Sequence, residues 1–317
     1  MATLDADLNE PGAVAIVGPT ASGKSALAIE VCRGRGGEIV SCDSVQVYRG
    51  LDIGSGKATS AEQALVRHHL IDILNIDEQT NAATFAERAA IAMTEIGGRG
   101  RLPVLTAGTG LYLTALLRGL FEGGGADLAL RGRLDRLMSR YGELRLHRLL
   151  ARKDPEYAAR TAHHDRIRVV RALEVCFKRG RSFSAVQRER RPLFRGKVLL
   201  VGLAPSRVEL RRRVIQRVRG MLDRGLVDEV RRALAGRPPG APTPRPLLSI
   251  GYREVTSSIA AGAVDAASDG ELQRAIVTAT MQYAKRQMTY FRRQFEVEWF
   301  EDSSAALDRI HAWVKER

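Results

Sequence analysis

Cysteine is scarce: Cys32, Cys42 and Cys176 are the three in 317 residues. Their spacing pairs none of them, which excludes a disulfide scaffold and a Cys-based zinc site, and an odd count fits a reducing compartment. No apolar run approaches the ~20 residues that span a bilayer; the longest clean one, residues 198–204, is strand-length. Asp5, Asp7 and Glu10 precede any apolar run, so the basic-then-apolar layout of a signal peptide is missing and a cytoplasmic location without membrane contact is expected. There is no internal repeat. Aromatic residues make up 5%, yet hydrophobic residues reach 44% and charged ones 27%, which excludes collagen-like and largely disordered chains. The length suits about two ordinary domains or one elaborated domain.

What is abundant is arginine. The chain carries 50 basic and 36 acidic residues, a net charge of +14, and the surplus is local. Residues 131–219 hold 26 basic and 8 acidic residues, an excess of 18, so the rest of the chain is at −4. Arginine's planar fork suits phosphates, and a polyanion such as nucleic acid is one reading of this segment. A solvated basic helical surface is the other.

Residues 13–17 form an apolar run ended by Gly18, a buried strand, and helix formers follow over 23–33. Residues 38–40 and 102–107 read as further buried strands with a helix over 84–96 between them; alternating strands and helices predict a parallel sheet covered on both faces. Residues 51–59 are glycine-rich and polar, hence a loop. After Gly123, Gly124 and Gly125 the apolar spacing turns helical, and strand texture returns at 198–203. This predicts an α/β core over 1–125 and 196–317, with a helical basic domain inserted at 126–195. A basic helical region over 207–234, a proline-rich connector over 236–246, a long helix over 271–295 and a last strand over 297–300 complete the outline.

Gly18-Pro19-Thr20-Ala21-Ser22-Gly23-Lys24-Ser25 matches the G-x-x-x-x-G-K-[ST] phosphate loop in full, between a predicted strand and helix. Its glycines let backbone N–H groups turn around phosphate oxygens, Lys24 supplies a positive charge, and Ser25 can hold Mg²⁺. The next strand ends at Cys42-Asp43-Ser44, which sets a carboxylate at the carboxyl edge of the sheet, where open α/β folds bind ligands. Asp43 is a candidate base or magnesium ligand there, or else a cap on the following turn. The strand at 103–106 ends in Ala107-Gly108-Thr109-Gly110, with no acid at the usual Walker B position. His68 and His69 are adjacent, but spacing offers no third metal ligand.

Taken in order, the phosphate loop, residues 43–54, His68-His69-Leu70-Ile71-Asp72, Gly108-Thr109-Gly110-Leu111-Tyr112, Arg171-Ala172-Leu173-Glu174-Val175, Gly251-Tyr252-Arg253-Glu254 and Ala284-Lys285-Arg286-Gln287-Met288-Thr289 resemble the tRNA dimethylallyltransferases of the bacterial type over nearly the whole chain. The resemblance implies a phosphate-loop NTPase-like fold and transfer of a dimethylallyl group from dimethylallyl diphosphate to the exocyclic amine of the adenosine 3′ to the anticodon. It implies Mg²⁺ as cofactor, the tRNA anticodon stem-loop as partner and, as our expectation, a monomer. Asp43 matches the family's general base, Arg217 its diphosphate-contacting arginine, and Thr20 the loop threonine near the substrate. Diphosphate contacts fall on Gly18, Pro19, Thr20, Ala21, Ser22, Gly23, Lys24 and Ser25. Expected tRNA contacts are Asp43, Ser44, Val45 and Gln46; Thr109; Ile167, Arg168, Val169, Val170 and Arg171; Leu248, Ser249, Ile250, Gly251, Tyr252 and Arg253; and Lys285, Arg286, Gln287, Met288, Thr289, Tyr290, Phe291 and Arg292. The seven-residue spacing of Lys285 with Arg292, and of Arg286 with Arg293, independently sets each pair on one helix face.

The sequence departs from the family pattern at Ala107, His164, Met281 and Tyr290, none of which is a proposed catalytic group. A diphosphate leaving group needs no Walker B acid, because no phosphoryl group is transferred. The alternatives are a small-molecule or nucleotide kinase, an NTP-gated RNA-binding protein, and a prenyltransferase acting on free adenine nucleotides.

Overall fold

The apolar runs assemble into one sheet. A computed structural model describes residues 12–120, 127–238, 240–263 and 269–316. In it β1 (Ala13–Val17), β2 (Glu38–Cys42), β3 (His68–His69), β4 (Pro103–Ala107), β5 (Val198–Leu203) and β6 (Glu298–Phe300) pair in parallel in the order β3-β2-β4-β1-β5-β6. Such strands are covered on both faces, which is why β1 and β2 are buried at every residue. The register aligns Val17 with Ala107 and Gly202, and Cys42 with Ala107, so four strands end in one row.

Alternation of side chains divides the core. Val14 and Ile16 of β1, Ile39 of β2 and Val201 of β5 pack with Leu27 and Val31 of the helix Lys24–Arg35 and with Ala306 and Ile310 of the helix Ser303–Lys315. The helix Ala82–Gly98 packs on β2 and β4; Asn81 caps it, its side-chain oxygen accepting from the N–H groups of Ala83 and Thr84. Among the described residues no helix is long and apolar enough to cross a membrane.

The chain separates into two compact units, one of residues 1–117 with 193–317 and one of 118–192, where the sequence reading drew the insert at 126–195. The triple glycine at Gly123 to Gly125, the acidic residues Asp5, Asp7 and Glu10, and Pro239 of the connector lie outside the described residues. The smaller unit is helical. Leu134 and Met138 of the helix Leu128–Tyr141, Leu146 and Leu150 of Glu143–Lys153, and Val169 and Leu173 of Arg166–Arg179 form its core. Part of the arginine surplus is used internally: fully buried Glu174 accepts from Arg131 at 2.9 Å, from Arg171, and from the Asp127 N–H at 2.7 Å. Burial raises the Glu174 pKa, but these donors outweigh it and hold the carboxyl below its ordinary range.

The basic helical region over 207–234 consists of two helices, Arg207–Asp223 and Leu226–Leu234, separated at Gly225 in the left-handed conformation. The two-residue β3 was read only as a histidine pair. In the structure His68 Nδ1 lies 2.8 Å from the Val66 carbonyl and His69 Nε2 2.6 Å from Glu38 Oε2, so both rings bind protein groups.

Candidate active site

The carboxyl edge of the sheet belongs to the larger unit. β1 runs into the phosphate loop at Gly18, whose φ is 145° and where a Cβ would stand 2.6 Å from the Leu203 carbonyl oxygen. Only glycine lets the loop turn this close to the end of β5. The loop delivers its last residues to the N-terminus of the helix Lys24–Arg35, where unpaired N–H groups favour anions. Among the described residues Ser22 Oγ, buried beside Gly18 in the loop, has no hydrogen-bond partner.

A polar cavity of about 350 Å³ opens beside the loop, lined by residues that include Thr20, Gly23, Lys24, Ser25, Asp43, Gln46, Gly56, Arg213, Arg217, Tyr283 and Gln287. Lys24 Nζ donates to the Pro19 carbonyl at 2.7 Å. Burial, and next the Arg217 guanidinium, draw its pKa down to about 7, against the pull of Asp43. Arg217 has no hydrogen-bond or ion-pair partner among the described residues; burial lowers its pKa and Asp43 opposes this. Arg213, which the sequence reading did not single out, donates to the Ser22 carbonyl at 3.1 Å and to Glu209 at 2.6 Å, tying the phosphate loop to the helix Arg207–Asp223.

Asp43 caps the turn with one oxygen and leaves the other out of it. Its Oδ1 accepts from the N–H groups of Val45 at 2.8 Å and Gln46 at 3.3 Å, closing the turn after β2. Its Oδ2 accepts no hydrogen bond among the described residues and lies near the end of β4, 3.3 Å from where a Gly108 Cβ would be. Thr109 Oγ1 accepts from the Ser44 N–H at 3.2 Å, joining the ends of β2 and β4.

A second, more apolar cavity of about 320 Å³ adjoins the first through Thr20, Asp43, Ser55, Arg217 and Tyr283, which line both. Its other walls include Ser44, Val45, Leu248, Ser249, Ile250, Gly251, Met221, Ile276 and Arg286. Three separated stretches expected at the RNA thus gather around one opening. Tyr283 stands at the junction. Burial first, then Asp43, push its phenol up to about 12, so it stays neutral and its ring is part of the wall. Tyr283 and Tyr290 repeat the seven-residue spacing of the basic pairs.

Several expected tRNA contacts are corrected by burial. Gln287 is 6% exposed and uses both ends of its amide: Oε1 accepts from the Thr20 N–H at 2.9 Å and Nε2 donates to the Gly108 carbonyl at 2.8 Å. It is a strut between the phosphate loop and β4. Phe291 and Val169 are fully buried and Val170 is 6% exposed in the helical core, so these side chains do not reach a ligand surface; Tyr252 is buried too, but it lines the apolar cavity. Tyr290 is half-buried, with its hydroxyl 2.9 Å from Thr114 Oγ1. Ile167, Arg168, Arg253, Lys285, Arg286, Thr289 and Arg292 are exposed. Among the described residues no three His, Cys, Asp or Glu side chains gather as metal ligands.

The sequence profile of the family described as IPP transferase matches residues 46–294. A tRNA dimethylallyltransferase of an Anaeromyxobacter species is 44% identical, the match covering 90% of this chain and 92% of that protein. The tRNA dimethylallyltransferase of Methylococcus capsulatus is 43% identical over 97% of this chain and 98% of its own. The crystal structure of a tRNA isopentenylpyrophosphate transferase from Bacillus halodurans covers 97% of this chain, and 96% of that chain is covered, with 36% identity and a TM-score of 0.68.

Proposed function

The chain belongs to the IPP transferase family, and we propose that it transfers a dimethylallyl group from dimethylallyl diphosphate to the exocyclic amine of the adenosine 3′ to the anticodon in tRNA. The observation that carries this is the shared wall of two cavities: Asp43, Thr20 and Arg217 lie between a polar compartment built on the phosphate loop and an apolar one open toward Leu248, Ser249 and Arg286.

In this reading the diphosphate occupies the polar compartment and the five-carbon group and the adenine meet at the boundary. The adenine amine is a weak nucleophile because its lone pair is delocalised into the ring. As it attacks C1, the N–C bond forms, the C1–O bond breaks, and the N6 proton passes to Asp43 Oδ2. The turn bonds on Oδ1 hold the carboxylate at that place. Lys24, Arg217, Arg213 and the loop N–H groups meet the charge that develops on the departing diphosphate, and Gln287 fixes the Thr20 amide. Mg²⁺ fits through the Ser25 hydroxyl at the cavity wall. A metal that binds mainly through substrate phosphates needs no carboxylate cluster, and when bound it would neutralise charge on the diphosphate. The Arg-rich unit of residues 118–192 supplies contacts to the tRNA phosphates, with the exposed Arg168 among them and exposed Ile167 beside it. Both cavities are lined from the larger unit.

The test is the mass of nucleosides digested from an unmodified tRNA bearing adenosine 3′ to the anticodon, after incubation with the protein, Mg²⁺ and dimethylallyl diphosphate without ATP. A dimethylallyl adduct on adenosine that disappears with Asp43→Ala is expected. A tRNA that binds and returns unmodified, or phosphoryl transfer from ATP in a parallel assay, would sink the proposal.

A further inference from the structure

Glu229 is a carboxylate that the reaction does not touch, and it is nonetheless 3% exposed. It lies on the helix Leu226–Leu234 and accepts four hydrogen bonds. The N–H groups of Asp52 and Ile53 reach Oε2, both at 2.8 Å; the Gly54 N–H reaches Oε1 at 3.0 Å and the Tyr252 hydroxyl the same oxygen at 2.7 Å. The Tyr252 oxygen in turn accepts from the Ser55 N–H at 3.0 Å. Four consecutive backbone donors of one loop are thereby held by two side chains that reach it from about 180–200 residues further along the chain.

The next residue of that loop is Gly56, at a φ of 60°. Its backbone lies directly against the Arg217 guanidinium, so that a Cβ there would overlap it. From the other side Gln46 Nε2 donates to the Ser55 and Gly56 carbonyls at 3.3 and 3.2 Å. Beyond Gly56, buried Lys57 closes the loop on Asp52, Asp72 and the Tyr48 carbonyl. Arg217 lacks an ion-pair partner of its own among the described residues. What holds its long side chain is therefore the packing surface that this loop presents at Gly56, together with the electrostatic pull of Asp43.

We propose that Glu229 and Tyr252 are a remote positioning pair: by clamping residues 52–55 they set Gly56 against Arg217 and so fix the guanidinium for the diphosphate. The proposal rests on the diphosphate reading of the polar cavity. An acceptor is required at all four contacts, which a carboxylate meets and an amide does not, because the NH₂ of a glutamine would face donors. Substitution of Glu229 thus releases the loop without touching any ligand.

The experiment measures binding of inorganic diphosphate with Mg²⁺, and kcat and KM for dimethylallyl diphosphate, in the full chain. Glu229→Gln and the milder Tyr252→Phe are made alone and combined with Arg217→Ala; Asp228→Asn, an exposed neighbour on the same helix, is the control. Glu229→Gln is expected to weaken diphosphate binding and raise KM about tenfold, Tyr252→Phe about threefold, and neither to weaken it further once Arg217 is gone. Losses that are equally large with and without Arg217 overturn the proposal, since Glu229 then acts on the fold alone, and so does unchanged diphosphate binding in both variants. If Glu229→Gln does not fold, Tyr252→Phe decides by the same criterion. Failure of the wild-type protein to bind diphosphate would instead sink the cavity assignment, and this inference with it.

Discussion

Raising the pH from 7 to 9 should expel diphosphate from the cleft by discharging Lys24. Burial and the adjacent Arg217 bring that amine down to about 7, so it is half charged at pH 7 and roughly 1% charged two units higher. If the charged form is the one that binds, affinity falls roughly 50-fold over that interval, and each binding event takes up as much as one proton as the anion restores the amine's charge. Calorimetry of inorganic diphosphate at pH 7, 8 and 9, in two buffers of different ionisation enthalpy, reads both quantities. The ligand titrates too, so the informative value is the ratio to Lys24→Met, in which the ligand's own titration is the same. That ratio should collapse toward one at pH 9. The same depressed pKa means that the unfolded chain binds more protons than the folded one above pH 7. The unliganded wild type should therefore gain stability relative to Lys24→Met as the pH rises toward the ordinary lysine range. A ratio that stays constant from pH 7 to 9, with no proton uptake, would refute the reasoning, because Lys24 would then remain charged in the empty cleft.

Three further outcomes are expected. Gln287→Ala leaves the Thr20 N–H and the Gly108 carbonyl unpaired and should cost about 1–3 kcal/mol of unfolding free energy together with a fall in kcat; an unchanged denaturation midpoint would show that the strut is dispensable. Arg286→Ala, which removes an exposed cation at the rim of the apolar cavity, should lower the salt slope of tRNA binding by about one, and an identical slope would place Arg286 off the RNA. Glu38 is buried, which raises its pKa, but hydrogen bonds from His69 and Arg99 more than offset this and hold it below the ordinary carboxylate value. Its contribution to stability is therefore complete above that value and lost as the pH falls through the lowered one. Urea titrations of wild type and Glu38→Gln should converge in acid, and a gap of equal size at pH 3 and pH 7 would contradict the sign of the shift.

The sheet could be read from the sequence because parallel strands are buried on both faces and stand out as short apolar runs, as residues 13–17, 102–107 and 198–203 do. The phosphate loop could be read because its glycines and lysine have fixed spacing. What could not be read depends on contacts between distant residues. Two-residue β3 has no periodicity to detect. Gln287 and Tyr252 sit in stretches that carry the family resemblance, and nothing in their spacing says that one straps the phosphate loop while the other hands its hydroxyl proton to Glu229 in a hydrogen bond. Glu229 itself is one acid in an ordinary amphipathic helix; only the fold shows that four donors converge on it.

The position of the acid explains how a nucleotide-type phosphate loop serves a different reaction. A carboxylate at the end of β4 would lie beside the phosphates and favour a metal-bound water or a transferred phosphoryl group; β4 ends instead in Ala107 and Gly108. Gly108 leaves room for the Asp43 carboxylate arriving from β2, with Oδ2 beside it. In the proposed reaction the negative charge is thus moved one strand sideways, from the diphosphate to the boundary with the apolar compartment, where the incoming amine would lose its proton. The turn bonds to Oδ1 are part of this arrangement, since they hold the carboxylate in place. Extending the acid by one methylene should break it: Asp43→Glu cannot both close the turn at Val45 and keep its free oxygen beside Gly108. It should therefore lose turnover nearly as fully as Asp43→Ala while retaining tRNA affinity. Near-normal turnover in Asp43→Glu would show that a carboxylate anywhere at this edge suffices, and that the Oδ1 turn contributes nothing to the chemistry.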